Sequence, residues 1–251
     1  MRRLIPIYLL LAMTLSSCMV VDLVRPREYE TRLDFRGTEV NRYAIAGELP
    51  EDSLVMSMIR PYQVELTTRM NRVIGNAESD FSNRRPNGSL GDLAADMLRR
   101  TASEHLGFAV DIGLTNWGGL RIPINQGPIR VGDIYSVMPF ENFLVVLTFT
   151  GAQIRAIADE LAATGGQPIS GLRMRIEDGK AVDILVGTRS IKDDDLYTVV
   201  TNNFLADGGD GYTTLLNPVK RQDLNILMRD AMIRYINDRY NVTPTFDSRL
   251  R

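Results

Sequence analysis

The irregular alternation of strand-like and helix-like stretches is the feature that most constrains the fold of this chain. Residues 109–115 and 196–201 are short apolar runs of strand length, whereas residues 90–106 repeat apolar side chains at helical spacing. Asp178-Gly179 separates two further runs and predicts a tight hairpin turn. Because the elements follow no steady βαβ rhythm, the sequence predicts an α+β fold.

The other expected elements follow from the same patterns. They are helices over residues 54–74, 132–139, 152–163 and 224–240, a strand over 143–150, and hairpin strands over 172–176 and 181–186. Ser89 is the expected N-cap of the helix over 90–106. Leu66, Met70 and Val73 indicate that the first helix packs against the core, and Asp96 is interpreted as a satisfied polar contact.

The first 18 residues are expected to be a targeting signal and not part of the folded domain. Arg2 and Arg3 precede an apolar stretch over residues 4–15, and Leu15-Ser16-Ser17-Cys18 resembles a bacterial lipobox. We therefore expect a lipoprotein with Cys18 acylated, held in the bacterial cell envelope by its lipid; the alternative is an ordinary cleaved signal peptide with a chance cysteine. Cys18 is the only cysteine, so no disulfide is expected in the mature protein. Residues 19–50 are expected to form a tether with edge strands, and residues 51–251 one main domain.

Three polar and aromatic stretches follow apolar runs, which is where binding sites are usually built. They are Asn116-Trp117-Gly118-Gly119-Leu120-Arg121, Pro139-Phe140-Glu141-Asn142 and the segment from Asn203 to Tyr212 with Gly208-Gly209-Asp210-Gly211. Each has a simpler structural explanation, as core packing for Trp117 or as an ordinary turn for the glycines. Together they offer rings for the faces of a base, amides for its edge, a carboxylate for ribose and a guanidinium for phosphate.

From about residue 59 to residue 240 the chain resembles the C-terminal, substrate-binding domain of bacterial and animal 5'-nucleotidases, including the periplasmic UDP-sugar hydrolases. Six blocks carry this resemblance in order. They are Leu90-Gly91-Asp92-Leu93-Ala94-Ala95-Asp96, Asn116-Trp117-Gly118-Gly119-Leu120-Arg121, Gly127-Pro128-Ile129, Pro139-Phe140-Glu141-Asn142, Leu147-Thr148-Phe149-Thr150-Gly151 and Phe204-Leu205-Ala206-Asp207-Gly208-Gly209-Asp210-Gly211-Tyr212.

The resemblance implies a four-layer α/β/β/α domain and a set of residues for binding a nucleoside or nucleotide. By carry-over from the family, Phe140 and Phe204 sandwich the base, Asn116 and Asn142 contact its edge, Asp210 holds the ribose and Arg121 the phosphate. Family members also present two arginines ahead of the first block; Arg84 stands at the second of these places. The first falls near Asp80, and whether Arg85 replaces the missing arginine is left open.

The catalytic power of the family lies in an N-terminal metallophosphatase domain with two metal ions, held by Asp, His and Asn clusters. This chain has a single histidine, His105, and none of those motifs, so no metal or other cofactor is expected in it. The net charge of -2 does not indicate the basic surface that binds a nucleic-acid polymer. We therefore expect the nucleotide-recognition component of a 5'-nucleotidase-type hydrolase, completed by a separate metallophosphatase chain that carries divalent metals. The alternatives are a non-catalytic nucleoside- or nucleotide-binding surface lipoprotein and a scaffold whose pocket is vestigial.

Overall fold

The computed structural model describes residues 51–245, 247 and 249–251. The predicted signal peptide, the lipidation site at Cys18 and the tether over residues 19–50 lie outside these residues. The described elements belong to one unit, Ser53–Arg251. Its helices are α1 (Ser53–Met70), α2 (Ser89–Leu106), α3 (Val131–Val137), α4 (Gly151–Ala163), α5 (Asn203–Ala206) and α6 (Met228–Arg239). Its strands are β1 (Val73–Ala77), β2 (Ile112–Leu114), β3 (Gly127–Arg130), β4 (Phe143–Thr150), β5 (Ile169–Ser170), β6 (Leu172–Glu177), β7 (Lys180–Val186), β8 (Arg189–Ser190), β9 (Leu196–Asn202), β10 (Lys220–Leu227) and β11 (Asn241–Val242).

A five-stranded mixed sheet in the order β10-β4-β9-β2-β5 organises these elements. Its centre is the antiparallel pair β4 and β9, which is in register from Leu144 opposite Asn202 to Thr150 opposite Leu196. Two three-stranded sheets, β11-β1-β3 and β6-β7-β8, contain the other described strands. The end of β4 and β9 that carries Leu144 and Asn202 is the end where the candidate site lies.

Hydrophobic cores form on both faces of the central sheet, because side chains of a strand alternate between faces. Leu144 and Val146 of β4 belong to the core built with α2 and α6. Val145, Leu147 and Phe149 belong to a second core, built with α4 and the β6–β7 hairpin. Helices therefore cover both faces of a layered sheet structure, and the predicted α+β fold is confirmed.

Several local predictions are also confirmed. The turn of the β6–β7 hairpin lies at Asp178 and Gly179, as predicted. Their φ angles are 48° and 74°, and a two-residue turn of this kind requires two positive φ values. The helix expected over residues 152–163 is α4, which begins one residue earlier and has Thr150 as its N-cap, with Gln153 completing a capping box. Asp96 is a satisfied polar contact, since it accepts from Ser170 Oγ at 2.5 Å and from Arg249 Nη2 at 2.6 Å.

Two predicted helices are longer than the helices in the structure. The helix expected over residues 54–74 ends at Met70, because Val73–Ala77 pairs with β3 and β11 as a strand. The helix expected over 224–240 begins at Met228, and the preceding Lys220–Leu227 pairs with β4. In both places strand pairing with distant residues outweighs the local helical spacing. The strand expected over 109–115 is shorter than predicted and covers Ile112–Leu114.

The packing expected of the first helix is wrong for Leu66 and Val73 and confirmed for Met70. No residue of α1 is fully buried, Leu66 is 57% exposed, and Val73, which belongs to β1, is 43% exposed. Met70, the last residue of α1, is partly buried and packs against the core that includes α2 and α6. Ser89 is not the N-cap of α2; Gly88 takes that position, and Ser89 Oγ instead accepts from the backbone N–H of Ser82 at 3.0 Å. None of the described helices is both long and apolar enough to cross a membrane.

Residues 249–251 pair with β6 and bring a buried cation against α2. Arg249 is 6% exposed, and its guanidinium contacts Asp96 at 2.6 Å and Asp92 at 3.5 Å. Burial raises the pKa of the Asp92 carboxyl to about 6, although Arg249 opposes this shift. This cluster ties α2 to the segment after β11.

Candidate functional site

The two candidate aromatic residues, Phe140 and Phe204, lie next to the same end of two neighbouring strands of the central sheet. Leu144 pairs with Asn202, and one residue further the N–H of Phe143 donates to Asn203 Oδ1 at 2.9 Å. Phe140 precedes β4 and Phe204 follows β9, so the backbone of both segments converges at this edge. Their side chains are 45% and 46% exposed, respectively. Large aromatic rings that stay half exposed are available to a ligand.

Phe204 is packed against the glycine-rich loop that follows it. A Cβ added at Gly209 would lie 2.5 Å from Phe204 Cε1 and 2.5 Å from the carbonyl oxygen of Phe204. Only glycine permits this approach of the loop to the ring. The next residue, Asp210, has a φ of 56°, a left-handed conformation that Asp adopts more readily than most residues. The loop therefore packs on the Phe204 ring and carries the Asp210 carboxylate at the next position in the chain.

Asp210 is held by Asn116 across 94 residues of sequence, with Asn116 Nδ2 donating to Asp210 Oδ2 at 2.7 Å. Asn116 is 4% exposed, and its Oδ1 lies 3.5 Å from the donor Asn202 Nδ2. Gly119 makes room for this amide, since a Cβ there would lie 3.0 Å from Asn116 Oδ1. The amide expected at the edge of a base is thus hydrogen-bonded to Asp210 and Asn202.

Arg121 lies beside Phe140. Its backbone N–H donates to the carbonyl of Val137 at 2.9 Å, just before the loop with Phe140. The guanidinium carbon is 6.0 Å from the centroid of the Phe140 ring. Arg121 is exposed and forms no ion pair with a carboxylate of the described residues. Its charge is available to an anion next to that ring.

Arg84 lies in the exposed loop between β1 and α2. This loop is bonded to the segment after Arg121, because the backbones of Phe81 and Ile124 exchange hydrogen bonds of 2.7 and 3.2 Å. Asp80, at the place of the first family arginine, accepts from the N–H of Gln126 at 2.7 Å. Asp80 therefore has a structural role here, and backbone hydrogen bonds join the segments that carry Arg84 and Arg121.

Asn142 is half buried, and its backbone carbonyl accepts from the N–H of Met228 at 2.8 Å. That bond fastens the loop after Phe140 to the first residue of α6. The Asn142 side chain makes no hydrogen bond with the residues that the structure describes, in contrast to the Asn116 amide. Of the two predicted base-edge amides, Asn142 is the one free to bind.

Sequence reasoning missed three residues that build this site. Asn202 caps α5 by accepting from the N–H of Leu205 at 2.9 Å, and Asn203 bonds Phe143. Two asparagines at a strand end are an N-cap signal that could have revealed them. Arg221 binds Asp207 in the same loop at 2.6 Å, and hydrogen bonds to Asp223 and Asp207 raise the pKa of its guanidinium. No short motif announces this residue, because it comes from β10.

A cavity of about 430 Å³ lies between α2 and α6 and includes none of the candidate residues. It is lined by charged residues near the ends of both helices. Arg100 is paired with Glu104 at 2.6 Å, and Arg239 donates to the carbonyl of Tyr235 at 3.1 Å. Arg239 lies in the last turn of α6, where a basic side chain offsets the negative end of the helix dipole. These contacts account for Arg100 and Arg239 without a ligand.

Metal ligands do not converge anywhere in residues 51–245, 247 and 249–251, since no group of three or more His, Cys, Asp or Glu side chains stands where it could hold an ion. The described residues therefore do not fit the two-metal site of the enzymes that this chain resembles. No reaction step is assigned to metals in this chain.

Fold and candidate site together define a layered α+β domain with an aromatic, polar edge at one end of its central sheet. The chain belongs to the 5'-nucleotidase, C-terminal domain family, which it matches over residues 73–217. That range contains every candidate residue named above between Arg84 and Asp210.

Curated relatives and solved structures agree with this assignment. The chain is 26% identical over 183 residues to a 5'-nucleotidase of Vibrio vulnificus, covering 69% of this chain and 32% of that protein. It is 29% identical over 185 residues to the trifunctional nucleotide phosphoesterase protein YfkN of Bacillus subtilis, covering 65% of this chain and 12% of that protein. The crystal structure of the 5'-nucleotidase precursor from Thermus thermophilus superposes with a TM-score of 0.68 at 29% identity, covering 80% of this chain and 43% of that one. The chain thus spans less than half the length of each of these relatives.

Proposed function

We propose that this protein is the nucleotide-recognition component of a 5'-nucleotidase-type hydrolase and is completed by a separate metallophosphatase chain. The observation that carries the proposal is the meeting of the Phe140 and Phe204 segments at one end of β4 and β9, with each ring about half exposed. Family membership supports a nucleotide as the ligand.

Each group at this edge has a chemical role in the proposal. The two rings stack on the faces of the base, and the Asn142 amide reads its edge. Asp210, fixed by Asn116, accepts hydrogen bonds from ribose hydroxyls with its remaining carboxylate oxygen. Arg121 binds the phosphate beside the base, with Arg84 as a second cation.

Catalysis in the proposal takes place on the partner chain. A single histidine in 251 residues cannot supply the Asp, His and Asn clusters of a two-metal hydrolase, so the divalent metals are assigned to the partner. This protein contributes binding energy from the base and ribose, which positions the phosphate for attack.

A reconstitution assay tests whether this chain binds the nucleotide while the partner chain catalyses its hydrolysis. The purified protein should release no phosphate from AMP with Mn²⁺, Co²⁺ or Zn²⁺. Added to a metallophosphatase chain from the same organism, it should raise the rate of AMP hydrolysis, and Phe140→Ala should reduce that increase. Robust phosphate release by this chain alone would refute the proposal.

Calorimetric titration with adenosine, AMP and UDP-glucose tests the pocket itself. Stacking on an aromatic side chain is worth roughly 1–3 kcal/mol per base, so Phe140→Ala and Phe204→Ala should each weaken binding about 5- to 150-fold. Phe108→Ala is the matched control, because Phe108 is 51% exposed outside the candidate site. Binding without any stimulation of a partner favours the alternative, a non-catalytic nucleotide-binding surface lipoprotein. No binding leaves only a vestigial scaffold.

We further propose that acylation of Cys18 holds the protein in the bacterial cell envelope. The lipobox-like sequence before Cys18 supports this, as two or more acyl chains anchor a protein without a membrane-spanning helix. Labelled palmitate should be incorporated into the wild-type protein and not into Cys18→Ala. Incorporation into the variant would contradict the assignment.

A further inference from the structure

An unusual buried cation, Arg229, lies beside the loop that carries Phe140. Arg229 is 8% exposed and is the second residue of α6. A positive charge in the first turn of a helix opposes the helix dipole, and burial removes its hydration. No carboxylate of the described residues pairs with it. Local stability alone does not favour arginine at this position.

The contacts that Arg229 does make lead to the loop over residues 138–142. Its guanidinium carbon is 4.0 Å from the ring centroid of Tyr135 in α3, and Nη1 donates to the carbonyl of Met138 at 3.4 Å. Its buried Nε has no hydrogen-bond partner among the described residues. The charge is therefore offset by an aromatic face and one carbonyl, and that carbonyl lies two residues before Phe140.

Consecutive residues of α6 hold both ends of this loop. The side chain of Arg229 binds the carbonyl of Met138 at the start, and the backbone N–H of Met228 binds the carbonyl of Asn142 at the end. Between these two points lie Phe140 and Asn142, the proposed base platform and base-edge amide. A loop fastened at both ends presents its side chains with less conformational freedom, and a preorganised site loses less entropy on binding.

We propose that Arg229 is a positioning residue for the nucleotide pocket, acting through the loop with Phe140 rather than by touching the ligand. This inference rests on the proposed function for its ligand, but the clamp itself can be measured without one.

Hydrogen exchange tests the clamp in the free protein. In Arg229→Met, which keeps an apolar stem against Tyr135 but loses the donor, the amides of Phe143 and Met228 should exchange about fivefold faster, the size expected for one lost hydrogen bond. Amides at the centre of β4, such as Leu147, should be unchanged. Arg239→Met is the matched control, since Arg239 also lies over a tyrosine ring, at 3.5 Å, and donates to a carbonyl of its own helix. Uniformly faster exchange, or no change at the loop, would overturn the inference.

A double-mutant cycle tests the link to the ligand. Arg229→Met should weaken AMP binding about five- to tenfold in the wild-type background and less than about twofold in the Phe140→Ala background, because its effect passes through that ring. Equal losses in both backgrounds would show that Arg229 acts elsewhere. If the wild-type protein binds none of adenosine, AMP and UDP-glucose, the proposed function fails, whereas the exchange experiment still decides whether Arg229 holds the loop.

Discussion

Asn116 and Asp210 are joined by a hydrogen bond of 2.7 Å between the Asn116 Nδ2 donor and the Asp210 carboxylate. Asn116 is buried and Asp210 is exposed, so the bond fixes a surface carboxylate on an interior amide. One carboxylate oxygen is oriented by the protein and the other remains for a ligand. The interaction thereby joins the first glycine-rich turn to the loop after Phe204.

Asp210→Asn should lower the affinity for AMP about tenfold, because hydrogen bonds to a charged acceptor are stronger than those to a neutral one. The new amide oxygen can still accept from Asn116, so the fold should persist. Calorimetry with AMP and 2′,3′-dideoxy-AMP measures the effect. The dideoxy ligand lacks the ribose hydroxyls and should bind wild type and variant alike; an equal loss for both ligands would show that Asp210 does not bind ribose.

Arg121→Met should weaken AMP binding about 10- to 100-fold and leave adenosine binding within a few-fold, since a charge-assisted hydrogen bond to phosphate is lost. Arg84→Met should have a smaller effect of the same kind. Arg130→Met, at an exposed position of β3, is the control and should change neither affinity. Adenosine binding that falls as steeply as AMP binding would assign Arg121 to the base rather than the phosphate.

Gly209→Ala should disturb the site through Phe204, because the added methyl would lie 2.5 Å from both the ring and the carbonyl of that residue. Forced overpacking of this kind costs about 1–3 kcal/mol, so urea unfolding should show a loss of that order together with weaker AMP binding. Gly132→Ala is the comparison, since its nearest neighbour, the carbonyl oxygen of Met70, would be 3.3 Å away. Unchanged AMP affinity in Gly209→Ala would argue against Phe204 as a base platform.

Asp92→Asn should stabilise the protein at neutral pH by about 1–3 kcal/mol. Burial raises the pKa of Asp92 from 3.8 to about 6, so the folded state holds this proton more tightly than the unfolded state. Its contribution to the free energy of unfolding is therefore largest below about pH 4 and is lost as the pH rises through about 6.

Urea unfolding between about pH 4 and pH 8 measures this effect, and the variant should show a flatter pH dependence than wild type. Asp96→Asn is the opposite control, because it breaks the 2.6 Å contact of Asp96 with the buried Arg249 and should destabilise. A steeper pH dependence in Asp92→Asn would contradict the assigned role of that carboxyl.

Local sequence patterns were sufficient for the elements whose signals are local. The Asp178-Gly179 hairpin and the helix after Gly151 lie where the patterns placed them, since turn geometry and helical spacing depend on neighbouring residues. The strand over Val73–Ala77 was missed because its partners, β3 and β11, are distant in the sequence. Strand pairing with remote residues leaves little trace in the strand itself.

The candidate site shows the same division. Its aromatic residues and arginines could be proposed from motifs, but the engagement of Asn116 with Asp210 and Asn202 depends on three segments meeting in space. Arg229 could not be singled out from sequence, because an arginine early in a helix resembles any surface residue. Its burial beside Met138 is visible only in three dimensions.

Strands β4 and β9 supply side chains to the cores on both faces of the central sheet: Val146 and Val200 to one, Leu147 and Val199 to the other. Unfolding of either core would remove β4 and β9 from the other core as well, because the two cores share these strands. We therefore expect the unit Ser53–Arg251 to denature cooperatively, in a single calorimetric transition.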